Sequence, residues 1–577
     1  MEVKKEINSH LQMHPLLAFL LAGAAQIDIT PTWFPLIINC GMLERTATSV
    51  SAPLYAKAIV LQQGNLKTAI VVADSCMMPR ELLDEAKALA EKATGIPANR
   101  QLISATHTHF APAAMSCLGS SVDERYAKWL PAKLAEAIIE ANKRLTPARI
   151  GSAAIADREH THVRSFIYRA GKELTDPFGN KTVRANMHPG HENPDVTLPT
   201  GPVDPTLTVL AIQSDKGQPM AMLASYAMHY FNSKPISSDY PGVFAKQFEQ
   251  RINAPKDFVT IMSQGTSGDL MYMDYSKPVN KELTIETYTS GIVDNALKAY
   301  NSIEYEKRPT LKMLETELTL TRRLPSPDRL AWANKLLATM GSNKPKNQPE
   351  VYAREAVYLD KEPKRTLKLQ ALQIGTLAIA TWPNEVYAIS GLKLRTRTSF
   401  PKLMNIELAN GAEGYIPPPE QHTLGGYTTW PARSAGLEVQ AEPKILATLT
   451  TLLNQLGNKP KPATQPKNQW PMEDLEANQD LKIEGPHAFA VPGKTGQALY
   501  LANANLALNK PLKTYKLSFW IWPAETRQWT QVTIEQTKTT RRTTVSGQLT
   551  SETAPTPTIQ LLTNFEGAID ELVLEQN

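Results

Sequence analysis

The chain has 577 residues, too many for one hydrophobic core, so two or more domains are expected. Apolar residues make up 42% and charged residues 20%, which excludes wholesale disorder, and a net charge of +5 falls short of the clustered basic footprint of a nucleic-acid binder. Three cysteines (Cys40, Cys76, Cys117) are an odd and sparse set, and no disulfide framework is expected from them.

Leu16 to Ala25 is apolar and follows Lys4 and Lys5. It has the length of a signal-peptide core and is too short to span a bilayer. It serves equally well as the lead into a strand, since Gln26-Ile27-Asp28-Ile29-Thr30-Pro31 follows at once. The compartment stays open between export, to the periplasm or the exterior, and the cytoplasm. No other segment reads as transmembrane.

From residue 22 to about 300, short β-like runs alternate with helical ones, the pattern of a layered α/β domain. Lys67–Asp74 is a continuous apolar run suited to a buried strand. Pro79–Thr94 follows as a helix with Leu82, Leu83, Ala86, Leu89 and Ala90 on one face and Gly95 past its end. Gln101–Thr106 is the next strand. A right-handed crossover makes the two strands parallel and puts Asp74 and His107-Thr108-His109 at the same carboxyl edge, where open α/β sheets place their sites.

Further helices are expected at Asp123–Leu145, Pro241–Asn253, Lys281–Asn301, Pro325–Met340, Asn384–Arg397 and Pro443–Leu456. Strands are expected at Thr206–Gln213, Met220–Met228, Phe258–Met262 and Leu367–Thr381. No internal repeat is visible. Gly457–Gln469 is rich in lysine and proline and reads as a linker. Beyond residue 474, alternating runs such as Lys516–Trp522 and Gln531–Ile534 indicate an all-β sandwich of roughly 100 residues.

Four segments carry candidate chemistry. His107 and His109 are two apart, so on extended backbone both imidazoles can face one site, one as a metal ligand and the second orienting it or touching the substrate; the alternative is a polar strand end whose histidines cap backbone groups. His229 ends an apolar run and precedes a polar loop with Ser237-Ser238-Asp239; alone it reads as a core histidine. Gly265-Thr266-Ser267-Gly268-Asp269 allows close backbone approach to a ligand, or is a plain turn. Asn384-Glu385 opens the expected helix, where a carboxylate suits the dipole with or without a metal.

Taken in order, these segments resemble the neutral and alkaline ceramidases, amidases that split a fatty acyl amide from sphingosine. The resemblance rests on the Gln26–Thr30 strand, Thr106-His107-Thr108-His109, Arg164, Val203-Asp204-Pro205, and Ala227-Met228-His229 with Ser237-Ser238-Asp239. It continues through Gly268-Asp269, Glu385 with Gly391-Leu392-Lys393-Leu394-Arg395, and Tyr415 with Tyr427. It spans residues 22 to 456 and implies a layered α/β metallohydrolase domain. It implies one Zn2+ held by His107, His229, Glu385 and Tyr415, with His109 beside the metal and Arg164 and Tyr427 facing the scissile carbonyl. Asp269 belongs to the same implied catalytic set. Zinc would lower the pKa of a bound water, the expected nucleophile, towards ~7 and polarise a carbonyl. A set of two histidines and a carboxylate also suits other divalent ions.

The chain departs from that pattern at Met271, which stands where the family has its catalytic serine. A thioether can neither attack a carbonyl nor donate to an oxyanion. Thr266 or Ser267 are the nearby hydroxyls, although neither matches the motif position. Pro417-Pro418-Pro419 replaces a threonine-rich segment and suggests a reshaped rim. The expected activity is hydrolysis of an amide or ester bond in an N-acyl or lipid-like small molecule. The alternative is a catalytically lapsed binding protein that keeps the metal and uses the C-terminal β-sandwich to hold a glycan or surface. At the C-terminus, Pro492–Tyr500 and Phe565–Leu572 resemble the first and last strands of laminin-G/concanavalin-like jelly rolls, predicting such a domain over 474–577 after a linker at 457–473. Domains of that type bind carbohydrate or accompany extracellular enzymes. Trp520 and Trp522 share a face that reads as core.

Overall fold

A computed structural model describes residues 19–168, 171–341 and 343–457, together with strands lying between 475 and 576. Strand β1 (Leu20–Asp28) pairs antiparallel with β2 (Tyr55–Gln63), which turns at Gly64 into antiparallel β3 (Leu66–Ala73). Helix α1 (Arg80–Thr94) crosses over to β4 (Gln101–Ala105), which lies parallel to β3 as the sequence predicts, and α2 (Glu124–Lys143) follows. Helix α1 stops at Gly95, whose φ of 71° suits glycine and whose N–H bonds Glu91 O. Leu20, Ala22 and Ala24 are buried in β1, so this end of the Leu16–Ala25 stretch is sheet.

The same succession then recurs. Strands β5 (Thr146–Ala156), β6 (Thr206–Ser214) and β7 (Pro219–Tyr226) are antiparallel neighbours. Helix α3 (Asp239–Arg251) leads to β8 (Val259–Gln264), parallel to β7, and α4 (Ile285–Asn301) follows. A third round begins with β9 (Leu311–Thr321). After α5 (Pro327–Met340) and α6 (Gln348–Lys361) come β10 (Lys364–Ile374) and β11 (Leu377–Thr381), all antiparallel. Helix α7 (Ala388–Thr396) leads to β12 (Lys402–Ile406), parallel to β11, and α8 (Ala441–Gly457) ends the round. The expected single strand Leu367–Thr381 is therefore a hairpin, turned at Gly375, whose φ of 57° is left-handed.

Three structural units of one plan thus build the domain, although no repeat is legible in the sequence. Each has an insertion between its first and second strands, covering residues 29–54, 157–205 and 322–363. These inserted stretches have unrelated sequences and obscure the repetition. Units one and two share an eight-stranded sheet in the order β8-β7-β6-β5-β1-β2-β3-β4, and unit three forms a four-stranded sheet.

Alternation along the strands explains the assembly. In β2, Ala58 and Val60 pack with Leu82, Leu130 and Ile138 of α1 and α2, whereas Ile59 and Leu61 point the other way. The second set joins Leu210, Ile212 and Ile261 of unit two and Leu372, Ile379 and Met404 of unit three in one apolar cluster. The remaining helices cover the outer faces: Phe244 and Ile292 over unit two, Leu446 and Leu449 over unit three. Strands buried on both faces read as unbroken apolar runs, which is why Lys67–Asp74 is legible.

Cys40 and Cys76 are joined in a disulfide, contrary to the expectation drawn from cysteine number, and Cys117 is free and buried. The pair links the first insertion to the loop after β3, a proximity that only the fold creates. Beyond residue 457 the described strands form two antiparallel sheets. One contains Leu475–Ala477, Ala498–Ala502 and Thr558–Thr563; the other contains Phe489–Val491, Gly567–Gln576, Tyr515–Pro523 and Thr530–Gln536. The expected side-chain packing of Trp520 and Trp522, and residues 492–497 and 565–566 of the segments behind the jelly-roll resemblance, lie outside what is described.

Candidate metal centre and active site

The ends of strands from all three units meet beside the shared core. Past β4 the chain turns sharply at His107, whose φ of 62° is left-handed. Its Nδ1 lies 2.9 Å from the carbonyl oxygen of Cys76. A carbonyl only accepts, so Nδ1 carries the hydrogen and the Nε2 lone pair is free. Three residues past β7, His229 Nδ1 donates in the same way to Ser267 O at 3.1 Å. The two Nε2 atoms then face each other at 2.9 Å. Glu385 Oε2 lies 3.2 Å from the first and 3.6 Å from the second.

Glu385 reaches this point on extended backbone. Glu385-Val386 pairs in parallel with Tyr415-Ile416, and the Glu385 amide bonds Gly414 O. The expected helix over Asn384–Arg397 therefore starts only at Ala388. The reason is local: the Val386 N–H is taken by Glu407 and the Ala388 N–H by Asp269, before helical bonding begins. Gly268 lets the loop after β8 press on this segment, since a Cβ there would stand 2.9 Å from Val386 O.

Two buried imidazole lone pairs and a carboxylate oxygen converging within hydrogen-bond distance repel one another unless a cation lies among them. Burial, reinforced by Arg164, pushes His229 well below the usual histidine range, so His229 does not relieve the repulsion by taking up a proton. Their ligand atoms lie within 4.8 Å of one another. Neutral histidine with carboxylate is the donor chemistry of a divalent transition metal, and the residues fit one.

Arg164, almost wholly buried, comes from the second insertion. Its Nη2 donates to Gly268 O at 2.7 Å and Tyr415 Oη at 3.0 Å, and lies 3.2 Å from His229 Nε2. Tyr415 and Tyr427 share a hydrogen bond of 2.8 Å. His109 Nε2 lies 3.2 Å from His107 Nε2, and its ring stacks on Tyr230 with centroids 3.8 Å apart. Burial, then the neighbouring His107 and Arg164, lowers the His109 pKa well below its ordinary value. A cavity of about 210 Å3 opens onto His107, His109, Arg164, Glu385, Tyr415 and Tyr427 at one end. Met42, Met77, Cys117 and Leu118 form its apolar wall.

Of the residues singled out in the sequence, Asp269 stands apart from this cavity. Its Oδ1 accepts the Ala388 N–H at 2.7 Å, its Oδ2 has no partner, and burial pushes its pKa up to about 7. Met271 is buried in a short antiparallel pairing with His162 and, like Thr266 and Ser267, does not line the cavity. Ser267 is instead locked to Glu407: its Oγ and N–H reach that carboxyl at 2.6 and 3.2 Å. Glu407 thereby ties the loop that holds His229 to the strand that carries Glu385. Sequence reasoning missed Glu407, Tyr230 and His188. Tyr230 merely follows a histidine, and His188 sits in a Pro/Gly-rich loop with no motif around it.

No family model matches the chain, and no curated protein matches it. Among solved structures it is similar to the neutral ceramidase from Pseudomonas aeruginosa, with a TM-score of 0.59 and 14% identity over 96% of this chain and 92% of that one. It is also similar to a ceramidase complexed with C2, with a TM-score of 0.58 and 14% identity over 96% and 93% of the two chains. The fold is ceramidase-like.

Proposed function

We propose that the chain is a zinc-dependent hydrolase of an amide or ester bond, acting on an N-acyl, lipid-like substrate. The observation behind this reading is the convergence of His107 Nε2, His229 Nε2 and Glu385 Oε2 on one point at the end of a half-apolar cavity. The ceramidase-like fold supports it. His107, His229, Glu385 and Tyr415 would hold the ion. Bound there, zinc would polarise a substrate carbonyl and lower the pKa of a water towards ~7.

The chain's own residues supply the rest. Arg164 and Tyr427 present donors at the cavity and stabilise a developing oxyanion, a contribution of ~3–4 kcal/mol for one well-placed donor. His109, kept neutral by its surroundings, lines the cavity beside the two candidate histidine ligands and can hydrogen-bond the substrate there. Met42, Met77 and Leu118 seat an acyl chain and exclude water around the polar end. The absence of serine at Met271 leaves ceramide itself unspecified as the substrate.

Met271 also motivates a second reading, a metal-retaining binding protein without turnover. One experiment separates the two. Purified protein is assayed for metal by elemental analysis and for hydrolysis of a series of N-acyl amides and esters, with and without a zinc chelator. Chelator-sensitive turnover supports the hydrolase; about one zinc per chain with no turnover on any member supports the binding protein.

A further inference from the structure

Arg164 has five N–H donors, and the structure accounts for most of them. Nη2 is committed to Gly268 O and Tyr415 Oη, beside His229 Nε2, and Nε points into the protein without a partner. Nη1 is left to serve a ligand in the cavity. The group beside Nη1 is His188, whose Nε2 lies 3.5 Å away.

His188 is held unusually firmly for an exposed residue. Its backbone lies in the left-handed region at φ 57°, a conformation shared with the candidate ligand His107. Its N–H bonds Arg164 O at 2.8 Å, and its Nδ1 lies 2.6 Å from Tyr275 Oη. Arginine only donates, so Nε2 accepts from Nη1 and Nδ1–H donates to Tyr275. The Tyr275 hydroxyl hydrogen then points to Met273 Sδ at 3.6 Å. Tyr275 is itself fixed, buried against Phe166 and bonded through its carbonyl to the Glu192 N–H.

We infer that His188, braced by Tyr275, is a positioning residue that aims the free Nη1–H of Arg164 into the cavity, at the carbonyl or carboxylate oxygen of the acyl group. This deepens the hydrolase reading and rests on it. It also gives the segment after Met271 a function: Tyr275 reaches the site through His188 although residue 271 does not line it.

The test uses the full-length, zinc-loaded protein with hexanoate as a probe of the acyl-carboxylate product, its binding measured by calorimetry, alongside hydrolysis of an N-hexanoyl anilide. His188→Ala should weaken hexanoate about tenfold and leave zinc content unchanged. His188→Gln, whose amide oxygen can accept from Nη1, should recover to within about threefold of wild type. In an Arg164→Ala background, His188→Ala should have no further effect, because His188 acts through Arg164. Full additivity of the two variants would overturn the proposal by showing that His188 touches the ligand independently. So would unchanged binding in His188→Ala, or a wild-type protein that binds no hexanoate. Absence of hydrolysis in wild type, with the coupling intact, would remove the hydrolase reading and leave the Arg164–His188 relationship standing.

Discussion

Glu385 and Tyr415 are register partners in a two-residue parallel ladder, so main-chain pairing, and not side-chain packing, sets the carboxylate and the phenol side by side next to the histidine pair. The backbone would hold these positions even if the side-chain chemistry were changed.

Glu385→Gln should therefore fold normally and lose metal. Its circular dichroism and thermal midpoint without metal should match wild type, while zinc affinity falls by at least about 100-fold, judged against the 10- to 100-fold cost of losing a mere supporting contact. His107→Ala combined with His229→Ala should remove zinc altogether in elemental analysis. Unchanged zinc in the double variant would place the metal elsewhere.

Asp269 gives a pH prediction whose sign follows from burial. Its pKa is about 7 in the folded chain, against an ordinary value of about 4. Below about 4 both states hold the proton. Between about 4 and 7 the unfolded chain releases it and the native chain keeps it, so stability falls by up to ~1.4 kcal/mol per pH unit. Asp269→Asn keeps an acceptor for Ala388 and should flatten that decline in denaturant unfolding measured from pH 4 to 8. A wild-type slope in the variant would assign the dependence to other groups.

Turnover should proceed without a covalent acyl-enzyme. Met271 has no nucleophile to offer, and neither Thr266 nor Ser267 lines the cavity. Mass spectra of acid-quenched reactions should show unmodified protein. Met271→Ser, at a position that does not line the cavity, should not be needed for activity and should form no acyl adduct. An acyl adduct on Thr266 or Ser267 would refute this.

A chain ending at Gly457 should stay soluble and keep its zinc. Helix α8 completes the outer face of unit three with Ile445, Leu449 and Leu453, and the candidate ligands all precede it. Aggregation or metal loss in the shortened protein would show that residues beyond 457 are integral to the core.

The sequence disclosed what is local. Continuous apolar runs marked β3 and β7, a glycine marked the end of α1, and the crossover rule gave the parallel pairing of β3 with β4. It was silent where distant segments decide the outcome. Glu385 is extended because Glu407 and Gly414 claim its neighbourhood, and neither is adjacent in sequence. His188 matters only because a loop of the second insertion lands beside Arg164. The triple plan of the domain was hidden for a related reason: strand pairing repeats, while the insertions carry unrelated sequence.

That triple plan bears on how the protein matures. Of the proposed ligands, unit one would supply His107, unit two His229, and unit three Glu385 with Tyr415, so no unit holds the whole set. During synthesis the first histidine would emerge long before its partners, and the ring closes only after the most distant segments have docked, the slowest class of folding event. In zinc fingers the ion nucleates the fold. Here it would arrive last, as a seal on a finished scaffold, and a ribosome-bound chain released before residue 385 would carry both histidines without the carboxylate that completes the candidate site.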